Sequence, residues 1–175
     1  MPAVLKIFLA EVAMTFSKSF GYAVRGVLYI AIMQDEKHFV QVEEIATQLA
    51  VPRHFMGKIL KNLVKENVLA SVKGPAGGFT LNEHTLLLPL IRLMEITDGL
   101  GLFSTCVLRL KACNASNPCP MHHRMEAVNS ELKTILANTT IGELIDGNKF
   151  NFIKSLSSAV EVESLIKTDF KEKHN

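Results

Sequence analysis

Apolar positions in the first half of the chain recur at helical spacing in three successive blocks. From Ser17 to about Gln34, Phe20, Val24, Val27, Leu28, Ala31 and Ile32 step by threes and fours. Asp35-Glu36-Lys37 ends that block. A second, Val42 to Ala50, sets Val42, Ile45, Ala46 and Leu49 on one side. Val51-Pro52 separates it from a third, Arg53 to Lys65, with apolar Phe55, Met56, Ile59, Leu60 and Leu63; proline disfavours helix at the residue before it and suits a first helical turn. The period then changes. Val68–Lys73 and Phe79-Thr80-Leu81 read as strands around Gly74-Pro75-Ala76-Gly77-Gly78, whose small residues and proline predict a tight turn. The order predicts a helix-turn-helix followed by a hairpin "wing".

A fourth helix is expected from about Pro89 to Thr97, closed by Asp98-Gly99. Residues 99–119 have no clean period and read as an extended loop. A long helix follows from near Pro120 to about Asn138, where Met121, Met125, Val128, Leu132 and Ile135 step by 4, 3, 4 and 3. That is a narrow seam, read as pairing between subunits, with packing on its own domain as the alternative. A short Ile141–Ile145 segment precedes a charged tail from Glu161, expected to fray. The fold class is therefore mostly α with a small β-hairpin wing. The expected organisation is an N-terminal extension (1–13), a winged helix-turn-helix domain (14–85), a segment carrying a cysteine loop and dimerisation helices (86–140), and a tail (141–175). The extension reads as a loose segment translated from a start upstream of Met14.

Composition narrows the function classes. The 175 residues are 48% hydrophobic, enough for a core. A net charge of +2 excludes any argument from global basicity, so a nucleic-acid reading must rest on local clustering. Three cysteines are too few for a disulfide scaffold and suit a reducing compartment. No uncharged apolar run reaches the ~18 residues of a membrane span, and a cytoplasmic address with no membrane partner is expected. No Ser-His-Asp set, phosphate loop or carboxylate pair stands out, so no enzyme is expected; Glu43 and Glu44 read as solvated or capping.

Charge is concentrated locally. Residues 53–73 hold Arg53, Lys58, Lys61, Lys65 and Lys73 against one acid, Glu66. Arg53 and His54 open the third helix, where a recognition helix meets base edges, and Lys58 and Lys61 face one way below them. Gly74, Gly77 and Gly78 would let the wing backbone approach a phosphate or enter a minor groove. These eight residues other than Lys65, namely Arg53, His54, Lys58, Lys61, Lys73, Gly74, Gly77 and Gly78, are the candidate DNA contacts, and double-stranded DNA is the expected partner.

Cys106, Cys113 and Cys119 leave gaps of six and five residues, and His122 follows three after the last. Thiolates suit iron–sulfur clusters or zinc. Zinc sites favour closer pairs, so the even, wide gaps lean towards a cluster. No acid lies between Gly99 and Arg124, whereas Arg109, Lys111 and Arg124 are cationic. Pro118-Cys119-Pro120 sets Cys119 at the expected start of the long helix, where free amides and the helix dipole favour a thiolate.

The stretch Phe16-Ser17-Lys18-Ser19-Phe20-Gly21-Tyr22-Ala23-Val24-Arg25, the Val42–Ala50 helix, the Lys73–Leu81 wing and Asp98-Gly99 resemble the bacterial IscR/NsrR-type winged-helix regulators of the Rrf-two family over roughly residues 14 to 140. The resemblance implies a homodimeric transcription factor whose long helix crosses its partner, reading palindromic operators with recognition helices about 34 Å apart. It also implies a cluster held by Cys106, Cys113, Cys119 and, as in the IscR type, His122. The NsrR type uses an acidic residue of the other subunit instead. Aligning the starts at Met14 puts Gly21 there, which favours His122, with His123 an outside option. The first cysteine gap is one residue wider than in IscR, so both two-iron (2Fe-2S) and four-iron (4Fe-4S) forms stay open.

The reading is thus a DNA-binding transcriptional regulator sensing redox, iron or nitric oxide state through an iron–sulfur cluster. The alternatives are an iron–sulfur electron carrier or redox enzyme subunit, and a zinc-stabilised or thiol-based regulator.

Overall fold

The structure is a computed structural model in which residues 16–104, 110 and 113–145 are described. The expected N-terminal extension, the charged tail and Cys106 lie outside these residues. Helix α1 spans Lys18–Met33. Ser17 caps it, its hydroxyl accepting from the Phe20 N–H at 3.1 Å and donating to Asp98 Oδ1 at 2.5 Å. Its buried face carries Phe20, Ala23, Val27 and Ile30, stepping by threes and fours. Helix α2, Val42–Gln48, buries Ile45 and Ala46. The chain then turns on Ala50, at a left-handed φ of 51°, and enters α3, Arg53–Lys65, behind Pro52. Met56, Ile59, Leu60 and Leu63 of α3 are buried. Gly26 lets α1 and α3 cross closely: a Cβ there would already touch Met56 Sδ at 3.4 Å.

Strands β1 (Leu69–Val72) and β2 (Gly78–Leu81) pair antiparallel, Leu69 opposite Leu81 and Val72 opposite Gly78. Val40 adds a bridge to Phe79, exchanging both backbone hydrogen bonds at 2.9 Å. Thr85 fastens the chain leaving the wing: its buried hydroxyl donates to Val68 O at 2.6 Å and accepts from the Asn82 N–H at 2.9 Å. Helix α4, Leu90–Thr97, ends as expected at Asp98-Gly99, with Gly99 at φ +74° and its N–H on Met94 O at 3.1 Å.

Two expectations about the second half need correction. The loop after Gly99 is not simply extended: Gly101–Ser104 forms a 3-10 turn, and Leu102 and Phe103 pack against the core. Helix α5 spans His122–Asn138, so it opens two residues after Pro120 and leaves Cys119 outside its first turn. Pro120 accounts for this, because it disfavours helical geometry at Cys119. Among the described residues, α1, α2, α3, the wing, α4, Leu136 of α5 and Ile141 close one continuous hydrophobic core. Along α5 the expected seam is only partly covered. Met125 and Leu132 are half-buried, while Val128 and Ile135 are 59% and 50% exposed. The α5 residue that packs into the domain is Leu136, which the seam omits.

Candidate nucleic-acid interface and metal centre

The helix-turn-helix and wing present the basic residues on the surface. Arg53, His54, Lys58, Lys61 and Lys73 are all exposed. Lys58, Lys61 and Lys65 line one concave face of α3 together with Phe55 and Asn62. Arg53 is not free: its Nε donates to Glu43 Oε1 across the turn between α2 and α3. The Glu43 carboxyl sits below the usual carboxylate range, held there by a backbone hydrogen bond at its own N–H and then by Arg53. Glu44 accepts from Tyr29 Oη at 2.9 Å and from Lys37 Nζ at 2.9 Å, so both acids serve intramolecular pairs.

The wing glycines separate by role. Gly74 is exposed, at φ +115°, with nothing within 4 Å of a would-be Cβ. Gly77 and Gly78 answer to the chain itself: a Cβ would lie 2.1 Å from Val72 O at the first and 2.5 Å from Val40 O at the second. The wing is also tied to the helices, because Gln41 Nε2 donates to Pro75 O at 2.6 Å.

At the sulfur loop the fold gathers residues that the sequence separates. Cys113 Sγ lies 3.3 Å from His122 Nδ1, and the Cys119 N–H donates to Cys113 Sγ at 3.4 Å. Both thiols are half-buried. The Asn114 side chain builds the intervening turn, accepting from the N–H groups of Ser116 and Asn117 at 2.9 Å. The Cys119 carbonyl takes the His122 N–H at 2.9 Å, locking the cysteine to the start of α5. Cys113 Sγ and His122 Nδ1 are thus adjacent donors, soft and borderline, while Cys119 meets Cys113 through its backbone N–H. His122 and His123 also lie close to Glu126, with one ligand atom of each within 4.8 Å of the others. The sequence reading missed Glu126, although its spacing of four from His122 places both on one helix face.

A family model described as an iron-dependent transcriptional regulator, Rrf2, matches residues 16–147. The chain belongs to the Rrf2 (Rrf-two) family. Rrf2 proteins are DNA-binding transcriptional regulators and not enzymes. Among its relatives, a protein of Aquifex aeolicus named as an HTH-type transcriptional regulator is 35% identical over 135 residues, covering 76% of this chain and 92% of that one. An HTH-type transcriptional regulator IscR of Vibrio vulnificus is 24% identical over 128 residues, covering 73% and 75%. In fold, the chain is similar to CymR, the global cysteine regulator of B. subtilis, with a TM-score of 0.59 at 16% identity over 74% of this chain and 94% of that one. It is similar to T. potens IscR with a TM-score of 0.59 at 17% identity, over 78% and 88%. The resemblance read from the wing and cysteine spacing is borne out at the level of family and fold. No helix among the described residues is long and apolar enough to cross a membrane.

Proposed function

We propose that this Rrf2 regulator reads palindromic operators as a homodimer, through α3 and the wing, and that an iron–sulfur cluster on Cys106, Cys113, Cys119 and His122 sets its affinity for DNA. The observation that carries the sensing half is the 3.3 Å approach of Cys113 Sγ to His122 Nδ1, with the Cys119 backbone N–H held on the same sulfur at 3.4 Å. Cys106 lies outside the described residues; with it, three thiolates and an imidazole complete a four-donor set suited to a cluster. When bound, such a group supplies a reversible, redox- and nitric-oxide-sensitive link between the loop and α5. The protein's own part is to hold those donors: Pro118 and Pro120 bracket Cys119, and the Asn114 turn spaces it from Cys113.

The dimer reading rests on surface chemistry. Val128 and Ile135 expose apolar side chains on α5. Beside Leu136 lies an apolar groove of about 620 Å³ lined by Phe16, Phe20, Tyr22, Val24 and Leu90. A second copy's α5 supplies the apolar ridge that such a groove accepts. Cluster state then acts on DNA by favouring one arrangement of the two subunits, and a tenfold change in affinity needs ~1.4 kcal/mol of that coupling.

The deciding experiment is anaerobic purification with iron and sulfide analysis and a visible spectrum, on wild type, Cys113→Ala and His122→Ala. Iron-bearing, coloured wild type and colourless Cys113→Ala are expected; zinc with no iron favours the zinc-stabilised reading. Operator titrations against salt test the DNA half: Lys58→Ala and Lys61→Ala each lower the salt slope by about one phosphate contact. An unchanged slope removes those residues from the interface.

A further inference from the structure

The sulfur loop does not use all the metal-binding chemistry at the start of α5. His122 and Glu126 are four residues apart on one face of the helix, and His123 Nδ1 lies 3.7 Å from Glu126 Oε2. One ligand atom from each of the three lies within 4.8 Å of the other two. We propose that His122, His123 and Glu126 form a second site, overlapping the sulfur loop at His122, for a single divalent first-row transition cation of the zinc class.

Two imidazoles and one carboxylate are a borderline donor set that suits zinc, cobalt or iron(II) and disfavours calcium and magnesium. The i, i+4 spacing on one helix face is the arrangement helical zinc sites use. Metal–ligand lengths near 2.0–2.1 Å put tetrahedral donors roughly 3.3 Å apart, so the cluster must contract by about 1.5 Å at most. That contraction needs only side-chain rotation, because the His123 and Glu126 side chains are 76% and 67% exposed. Water completes the coordination on the solvent side.

His122 is the shared member. Its Nδ1 faces Cys113 Sγ at 3.3 Å, so the same imidazole stands between the sulfur loop and the His123–Glu126 pair. A cation that recruits His122 competes with any cluster that uses it. This competition rests on the cluster reading above; the cation site does not.

The test uses tag-free, full-length protein, stripped with chelator and handled anaerobically under reduction. Cobalt(II) is the probe. In a chain with Cys106, Cys113 and Cys119 all replaced by Ser, one cobalt is expected to bind with weak d–d bands and no sulfur charge-transfer absorption. His123→Ala or Glu126→Gln then weakens binding by about tenfold or more. Loss of all cobalt binding on removing the thiols, or affinity unchanged by both single substitutions, overturns the site. In the cysteine-intact chain, zinc should suppress cluster reconstitution, and the His123→Ala, Glu126→Gln double variant should relieve the suppression. Equal suppression in both chains overturns the competition. A chain that takes up no cluster under any condition removes the cluster reading, while the cobalt titration still decides the cation site.

Discussion

Replacing Gly78 by Ala tests whether the wing glycines serve the chain's own packing or its approach to DNA. Gly78 has φ +154°, and the added Cβ would lie 2.5 Å from the Val40 carbonyl oxygen. That is far inside van der Waals contact, and the obstacle is backbone that cannot rotate away. Val40 must therefore withdraw and break the two 2.9 Å hydrogen bonds that it exchanges with Phe79. Two hydrogen bonds at about 1 kcal/mol each, with backbone strain of about 1–3 kcal/mol, give a loss of roughly 3–5 kcal/mol. The melting temperature should fall on the order of 10 °C. Gly101→Ala is the control, since nothing lies within 4 Å of its would-be Cβ; it should stay within about 0.5 kcal/mol of wild type. Paired urea melts followed by far-ultraviolet circular dichroism measure both. If Gly78→Ala unfolds with Gly101→Ala, the steric reasoning is wrong.

Thr85→Val should cost about 2–3 kcal/mol in the same melts, because Val68 O and the Asn82 N–H both lose their buried partner; a loss under about 0.5 kcal/mol would show that other groups take over those bonds. Val128→Glu with Ile135→Glu should leave the unfolding of dilute protein unchanged but shift sedimentation towards the single chain, and an unaltered sedimentation profile would place the subunit contact elsewhere. Glu43 contributes with a definite sign. Its folded carboxyl pKa is lowered from the ordinary 4.5, so its contribution is present above that value and disappears as pH falls through the folded one. The small stability difference between wild type and Glu43→Gln should therefore be larger at pH 7 than at about pH 3.5, and a difference independent of pH would mean that the carboxylate form contributes nothing.

Much of the fold was legible because its determinants are local. The α3 limits follow from Pro52 before Arg53 and from the helically spaced apolar residues that run as far as Leu63 and Val64. The α4 stop follows from Gly99, which alone among its neighbours adopts a left-handed φ without cost. The Gly101–Ser104 turn was not legible: its Leu102 and Phe103 are held by tertiary packing, and four residues are too few to show a period. The α5 seam hid Leu136 for a related reason, since a heptad pattern weighs one face and the core contact lies one residue off it. At the site, sequence spacing grouped Cys106, Cys113, Cys119 and His122 as ligands; the fold sets the Cys113 thiol beside the His122 imidazole and brings Cys119 to it by the backbone N–H. It could not anticipate the Arg53–Glu43 pair, because the two are ten positions apart across a turn whose direction depends on Ala50 adopting φ 51°. Nor could it separate Gly74, whose would-be Cβ meets nothing within 4 Å, from Gly77 and Gly78, each of which faces a backbone carbonyl oxygen.

Ser17 narrows the choice of residue at the mouth of α1. Asp normally substitutes for Ser at such a position without penalty. Here the hydroxyl hydrogen is committed to Asp98 at 2.5 Å while its oxygen receives the Phe20 amide. A second carboxylate would face the first like charge to like, so only side chains that give and take at once are tolerated. The carboxylate that precedes the sulfur-bearing stretch is thereby latched to the mouth of α1 by two protons, one from the Ser17 hydroxyl and one from its backbone N–H at 3.3 Å.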